Sequence, residues 1–283
     1  IQFINFLKIK PKSKNFKIKT ICIGNIYVGG TGKTSLSVKI NEILKKYNIK
    51  SCFVKKFYEG QIDEQKILKK NGVLFLSKQR LDAVKLAEKE NYEFAIMDDG
   101  LQDDSINYDI SFVCFNNLNW IGNGMTIPSG PLREDIKNLK KYKHLFLNGN
   151  LENLEKLKEE VIKINPLINI HIGKYEPINL DKFDSKDKYI IFSGIGNHST
   201  FSSMIKRNGL TIIKEYEFPD HFSYNKKDID QILNDAKNLN CKIITTEKDY
   251  VRLGEFKSDK IKYLKSELKI IDEEKLINTI MNI

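Results

Sequence analysis

Residues 20–34, TICIGNIYVGGTGKT, constrain this chain more than any other stretch. Thr20, Ile21, Cys22 and Ile23 form a short apolar run rich in β-branched residues, which predicts a buried strand ending at Gly24. Lys33 and Thr34 head an amphipathic pattern (Leu36, Ile40, Ile43, Leu44) that predicts a helix. Between them Gly29, Gly30, Thr31 and Gly32 make a turn in which backbone N–H groups can converge. The positive end of the helix dipole lies beside it, so strand, loop and helix in this order form an anion cradle. Lys33 is placed to reach the β- and γ-phosphates of a nucleotide, and the Thr34 hydroxyl to bind Mg²⁺. The loop departs from G-x-x-x-x-G-K-[ST] at one position, where Tyr27 replaces the first glycine.

Strand-like runs at 51–54, 73–76, 94–97 and 110–115 alternate with helical patterns, notably in the second half of KKFYEGQIDEQKILKK and at 79–90. This alternation predicts a parallel sheet covered on both faces, an α/β fold of the P-loop NTPase type. Residues 116–133 carry no periodicity but hold GNG and PSGPLRE, and so unstructured a stretch inside a domain reads as a functional loop. A strand at 144–147 and a helix at 151–164 follow, and 175–188 reads as a connection. Beyond it lies a second α/β unit. It runs through a strand at 189–193, GIGNHSTF, a helix to Arg207, a strand at 211–217, the turn FPDHF, a helix at 227–239, a strand at 242–246 and TEKDYVRL. The expected division is a P-loop domain at 1–182 with a basic lead-in, and a smaller α/β domain at 183–283 that closes the cleft.

Apolar content of 41% and charged content of 30% are those of a soluble globular protein. The net charge of +10 is almost all lysine, the only arginines being Arg80, Arg133, Arg207 and Arg252. A solvated lysine surface accounts for most of it, and a basic face toward anionic lipid or a phosphorylated substrate remains open. No aromatic-basic motif directs the chain to nucleic acid. Cys22, Cys52, Cys114 and Cys241 are scattered without a CxxC pair, as free thiols in a reducing compartment are. No apolar run is long enough to span a bilayer. Because the chain begins at Ile1, a native segment is expected to precede it. Its first 19 residues mix large apolar side chains with six lysines. They read either as a segment lying on an anionic membrane surface or as a plain lead-in to the first strand.

Asp98 and Asp99 close an apolar strand, where a nucleotide-binding sheet presents its Mg²⁺-binding acid. Arg133 and Glu134 sit in the long loop, as a bidentate phosphate donor beside an acid or as a surface arginine with a capping acid. Asp63 and Glu64 start a helical pattern, where the simplest role is to complement the helix dipole. His221 follows Asp220 in a strand-to-helix turn. His198 adjoins the GIG turn, where a ligand contact is open to it, and His144 and His171 sit in strand-like runs as ordinary residues.

Together these segments resemble the tetraacyldisaccharide 4′-kinases, the lipid A kinases of Gram-negative bacteria. The matching pieces are GN-x-x-VGGTGKT at 24–34, DE at 63–64, DDGLQ at 98–102, GNG…P-x-GPLRE at 122–134, GIG with Phe201, DH at 220–221 and TEKD at 246–249, in family order. The resemblance implies ATP·Mg²⁺-dependent phosphorylation of the 4′-hydroxyl of a lipid A disaccharide 1-phosphate at the cytoplasmic face of the inner membrane. It places ATP contacts on Val28, Gly29, Gly30, Thr31, Gly32, Lys33 and Thr34, and the metal on Thr34, Asp98 and Asp99. It pairs Asp63 with His221 to activate the sugar hydroxyl, with Lys33 in catalysis and Glu64, Gln102, Arg133 and Glu134 nearby. The chain departs from the family where Asp103 replaces a histidine, where Ile62 and Gln65 flank DE, and where 55–58 reads KKFY in place of Ser-Arg-Gly-Tyr. A partitioning or assembly ATPase is the competing reading, but its signature lysine would fall at Val28.

Overall fold

Strand β1 (Lys19–Gly24) is buried at every residue after Lys19, so it belongs inside a sheet covered on both sides. The computed structural model describes residues 16–58, 62–149 and 153–283, with no side chain described at 62 or 63. There β1 pairs in parallel with β4 (Phe94–Asp98) and β5 (Ile110–Asn116). β2 (Ser51–Lys56) and β3 (Leu74–Ser77) extend the sheet beyond β4, and β6 (His144–Asn148) and β7 (Asn169–Pro177) extend it beyond β5. Helices α1 (Lys33–Lys46), α2 (Ile62–Asn71), α3 (Arg80–Lys89) and α4 (Leu154–Ile164) lie on its faces. On one face Leu36, Ile40, Ile43 and Leu44 of α1 pack against Ile21, Ile23, Phe53 and Ile96. On the other, Ala83, Val84 and Ala87 of α3 meet Cys52, Val54, Ala95 and Met97. Successive β2 residues thus serve opposite layers, as the two-residue period of a strand requires.

A second, four-stranded sheet holds β8 (Lys188–Ser193), β9 (Thr211–Glu217), β10 (Lys242–Thr246) and β11 (Ile261–Leu264) in the order β11-β10-β8-β9, all parallel. Helix α5 (His198–Arg207) lays Phe201, Met204 and Ile205 on Tyr189 and Ile191, while α6 (Lys226–Asn238) lays Ile229 and Ile232 on Ile190 and Phe192. A reciprocal capping box between Asn225 and Asp228 starts α6. The short α7 (Glu247–Arg252) is capped by Thr246, which accepts from the Asp249 N–H.

The chain then returns to the large sheet, which corrects the expectation that 183–283 is one continuous smaller unit. β12 (Ser266–Ile270) pairs antiparallel with β7, and α8 (Glu273–Met281) adds Leu276 and Ile280 to the core beneath α1. Residues 175–177, expected to be connection, are the end of β7. β12 is quiet in sequence because it forms the sheet edge: of SELKI only Leu268 is buried. The helix expected from 151 is described from Leu154 onward.

Candidate active site

The glycine loop after β1 takes left-handed conformations, with φ of 77°, 38° and 75° at Gly29, Gly30 and Gly32. Gly32 is the N-cap of α1 without a capping side chain, and the first turn carries no acid. The positive end of α1 is therefore left for an incoming anion. A side chain at Gly32 would collide with Asn148 and Tyr175, and one at Gly30 with the Gly196 carbonyl of the second unit. Those contacts are also what holds the loop. Asn148 Nδ2 donates to the Thr31 carbonyl, and Asn25 Nδ2 donates to Thr31 Oγ1 at 2.9 Å.

Two ionic clusters stand beside the loop at the carboxyl ends of β2 and β4. In the first, fully buried Asp98 accepts from Lys55 Nζ at 2.7 Å and from Thr34 Oγ1 at 3.3 Å, with Ser37 Oγ 3.4 Å away. The same Lys55 ammonium donates to Glu64 Oε2 at 2.7 Å. Burial opposes charge on Lys55, but the Asp98 and Glu64 carboxylates outweigh it and raise its pKa above the ordinary lysine value. In the second cluster, Asp99 Oδ1 lies 3.0 Å from Arg133 Nη1 and 3.7 Å from Lys33 Nζ. Burial pushes the Asp99 pKa up, Lys33 and Arg133 push it down further, and the net shift is downward. Gln102 joins this cluster to the long loop: its Oε1 accepts from Arg133 at 3.2 Å, and its Nε2 donates to Glu134 Oε1 at 3.2 Å and to the Asn25 carbonyl at 3.0 Å.

Asp99 has a left-handed backbone (φ 58°), unusual for a side chain other than glycine. Arg80 holds it there. Its Nη2 donates to the Asp99 carbonyl and its Nη1 to Asp103 Oδ2 at 3.1 Å. Burial raises the Asp103 pKa, but donation from Ser105 and Arg80 lowers it overall. The residue standing where the family has a histidine therefore anchors the arginine that shapes the acid turn.

The second unit reaches this edge through two turns. Asp249 is fully buried and accepts from the Gly194 N–H at 3.0 Å, Tyr224 Oη at 3.0 Å, Thr246 Oγ1 at 2.6 Å and Arg252 Nη1 at 3.2 Å. Arg252 Nη1 also donates to the Gly194 carbonyl at 2.5 Å, and Nη2 lies 3.4 Å from His221 Nδ1. His221 takes a left-handed backbone (φ 61°), donates its N–H to the Gly194 carbonyl at 3.1 Å and is exposed. The TEKDYVR segment thus positions both the GIG turn and His221.

Lys33, Thr34, Asp98, Asp99, Gln102, Arg133 and Glu134 therefore lie in one place, with Glu64 attached through Lys55. The capping role open for Glu134 falls to Asp135, which accepts from the Lys137 N–H. Val28 is half-exposed, and its N–H donates to the Pro131 carbonyl at 2.9 Å. The side chain of Asp63 lies outside the described residues, as do residues 1–15 of the basic lead-in. His198 is buried between Ser193 Oγ at 2.7 Å and Glu215 Oε2 at 3.1 Å, so it braces α5 on β9. Burial also pushes the thiols of Cys22, Cys52 and Cys114 far up, leaving them unreactive packing groups. Sequence reasoning missed Lys55, Arg80, Asn148 and the Asp249–Arg252 pair. For Lys55 the available signal was a lysine closing an otherwise apolar strand.

Comparison with known proteins places this geometry among relatives. The family model described as tetraacyldisaccharide-1-P 4′-kinase matches residues 4–283. A tetraacyldisaccharide 4′-kinase of Pelagibacter ubique is 58% identical over 280 residues, covering 99% of this chain and 89% of the relative. One from Wigglesworthia glossinidia brevipalpis is 33% identical over 264 residues, covering 87% of this chain and 70% of that protein. Among solved structures, the "apo" form of LpxK from Aquifex aeolicus in complex with ATP superposes with a TM-score of 0.66 at 22% identity, covering 99% of this chain and 94% of that one. The likeness of fold extends over both sheets.

Proposed function

Since the chain belongs to the tetraacyldisaccharide-1-P 4′-kinase family, we propose that it transfers the γ-phosphoryl group of ATP to the 4′-hydroxyl of a tetraacyldisaccharide 1-phosphate, a step of lipid A biosynthesis. The observation that carries the reading at the level of residues is the meeting of the uncapped glycine loop with Lys33, Arg133 and Asp99. Phosphoryl transfer asks a protein chiefly for positioning and for charge opposite the transferring oxygens. Lys33 and Arg133 supply that charge. Asp99 holds both cations at the loop until phosphate oxygens take them over.

Mg²⁺ fits the donor set. It needs one or two carboxylates beside phosphate oxygens, and Thr34 Oγ1 stands 3.3 Å from Asp98 with Asp99 adjacent. Thr34 and an acid of this pair would hold the ion, which when bound neutralises charge developing on the phosphates. Asp63, in the first turn of α2, accepts the proton of the sugar hydroxyl. His221, braced by Arg252 and by the Gly194 carbonyl, orients Asp63 from the second unit and shares its proton.

No described helix is long and apolar enough to cross a membrane. We assign attachment at the cytoplasmic face of the inner membrane to the lysine-rich first 19 residues, each lysine near an anionic surface contributing roughly 1 kcal/mol. Flotation with anionic vesicles that persists unchanged in high salt would remove that assignment. The test of function is transfer of labelled γ-phosphate from ATP to purified tetraacyldisaccharide 1-phosphate, with the product's new phosphate located at the 4′ position by NMR. Absence of transfer from a folded, ATP-binding preparation would refute it.

A further inference from the structure

The proposed mechanism gives Lys55 no role, yet its setting is built rather than incidental. Its side chain is 1% exposed, it lies 2.7 Å from Asp98 and 2.7 Å from Glu64, and Asp98 is 0% exposed. Strand register brings it there. β2 pairs with β4 with Val54 opposite Met97, so the next residues on the two strands are Lys55 and Asp98. Lys55 and Thr34 both donate to Oδ2 of Asp98, and Ser37 Oγ, whose proton goes to the Lys33 carbonyl at 3.0 Å, lies 3.4 Å from Oδ1. Asp99 differs. Its Oδ1 receives Arg133, with Lys33 at 3.7 Å, while its Oδ2 has no partner among the described residues and the side chain is 14% exposed.

We propose that Lys55 is a resident cation of the nucleotide site: it permanently neutralises Asp98, ties the first turn of α2 to β4 through Glu64, and leaves Asp99 as the carboxylate that receives the divalent metal. The inference rests on the kinase reading and narrows its donor set from two acids to one. A metal ion drawn to Asp98 would have to displace an ammonium already at hydrogen-bonding distance and pay for stranding it in a dry pocket. At Asp99 the cations facing the carboxylate are the two that incoming phosphates attract away, so the acid is uncovered as the nucleotide arrives.

The experiment is a titration of Mn²⁺ into the full chain with a non-hydrolysable ATP analogue, followed by electron paramagnetic resonance. The double variant Lys55→Met/Asp98→Asn removes cation and anion together, and Mn²⁺ affinity should stay within about twofold of the unaltered protein. Asp99→Asn should weaken it about tenfold or more. Lys55→Met alone exposes Asp98 as a second acid and should tighten Mn²⁺ binding. Should that single variant fail to fold, the charge-compensated pair still decides the matter. A double variant that loses as much affinity as Asp99→Asn would overturn the assignment, with the kinase reading untouched. Failure of the unaltered protein to bind Mn²⁺ with the analogue would overturn both.

Discussion

At the carboxyl edge of the large sheet the polar groups are ions paired with ions: Lys33 and Arg133 on Asp99, and Lys55 on Asp98 and Glu64. At the edge of the small sheet a single buried carboxylate, Asp249, gathers a backbone N–H, two hydroxyls and one arginine. In the proposed mechanism the outer ion pairs of the first region exchange partners when phosphates arrive, because one anion replaces another around the same cations. The second region has no such freedom. Releasing any donor from Asp249 strands a buried polar group. One edge is therefore organised for ligand exchange and the other for holding a turn in place, and His221 belongs to the second.

The sharpest test of that division crosses between the two edges. Asp63→Ala and His221→Ala are each expected to lower kcat on the order of 10²–10⁴. The double variant should cost little more than the worse single one, since members of one relay are not additive. Multiplying losses, measured with ATP affinity alongside, would mean the two residues do separate jobs.

Within the large sheet, Lys33→Ala is expected to cut kcat on the order of 10²–10³. Folding should be spared, because Arg133 remains on Asp99. Normal turnover in that variant would remove the loop from the mechanism. Asp249→Ala tests the opposite edge and should act first on stability, by about 3 kcal/mol, since it unpairs Arg252 and the Gly194 N–H. Urea unfolding unchanged from the parent would mean the hub is dispensable.

The smallest expected effect is remote from both edges. His171, buried on β7 and 3.4 Å from His144, has its pKa lowered from 6.5 to about 4 by burial, then by His144 and Lys275. The unfolded chain binds the proton more tightly, so this site's contribution is complete above pH 6.5 and declines as pH falls toward 4. Between pH 8 and pH 5 the loss is about 2 kcal/mol. In His171→Gln this part of the pH dependence should vanish; an identical slope in the variant would place the titration elsewhere.

The α/β class and most strands of both sheets were legible because buried parallel strands read as unbroken apolar runs, and α1 as a stripe at helical spacing. β12 and α8 were not, because an edge strand with one buried residue has almost no pattern to show. Asp99, Gln102, Arg133 and Glu134 were legible as motif residues, yet their grouping around one carboxylate oxygen and one amide was not. His198 was open to a ligand role in sequence and proved to be a brace, since its partners Ser193 and Glu215 come from two different strands.

Sequence alone determined the anion cradle, because strand, glycine loop and helix N-terminus are contiguous within 15 residues and each needs only its neighbours. It also marked the acids that close β4. Tertiary structure alone decided which cations each of those acids meets. Lys55 meets Asp98 across 43 positions because of the register between two parallel strands, and Glu64 joins them from a helix packed on the same face. Local pattern carries burial and period. The partner of a buried charge is set by which strands lie side by side.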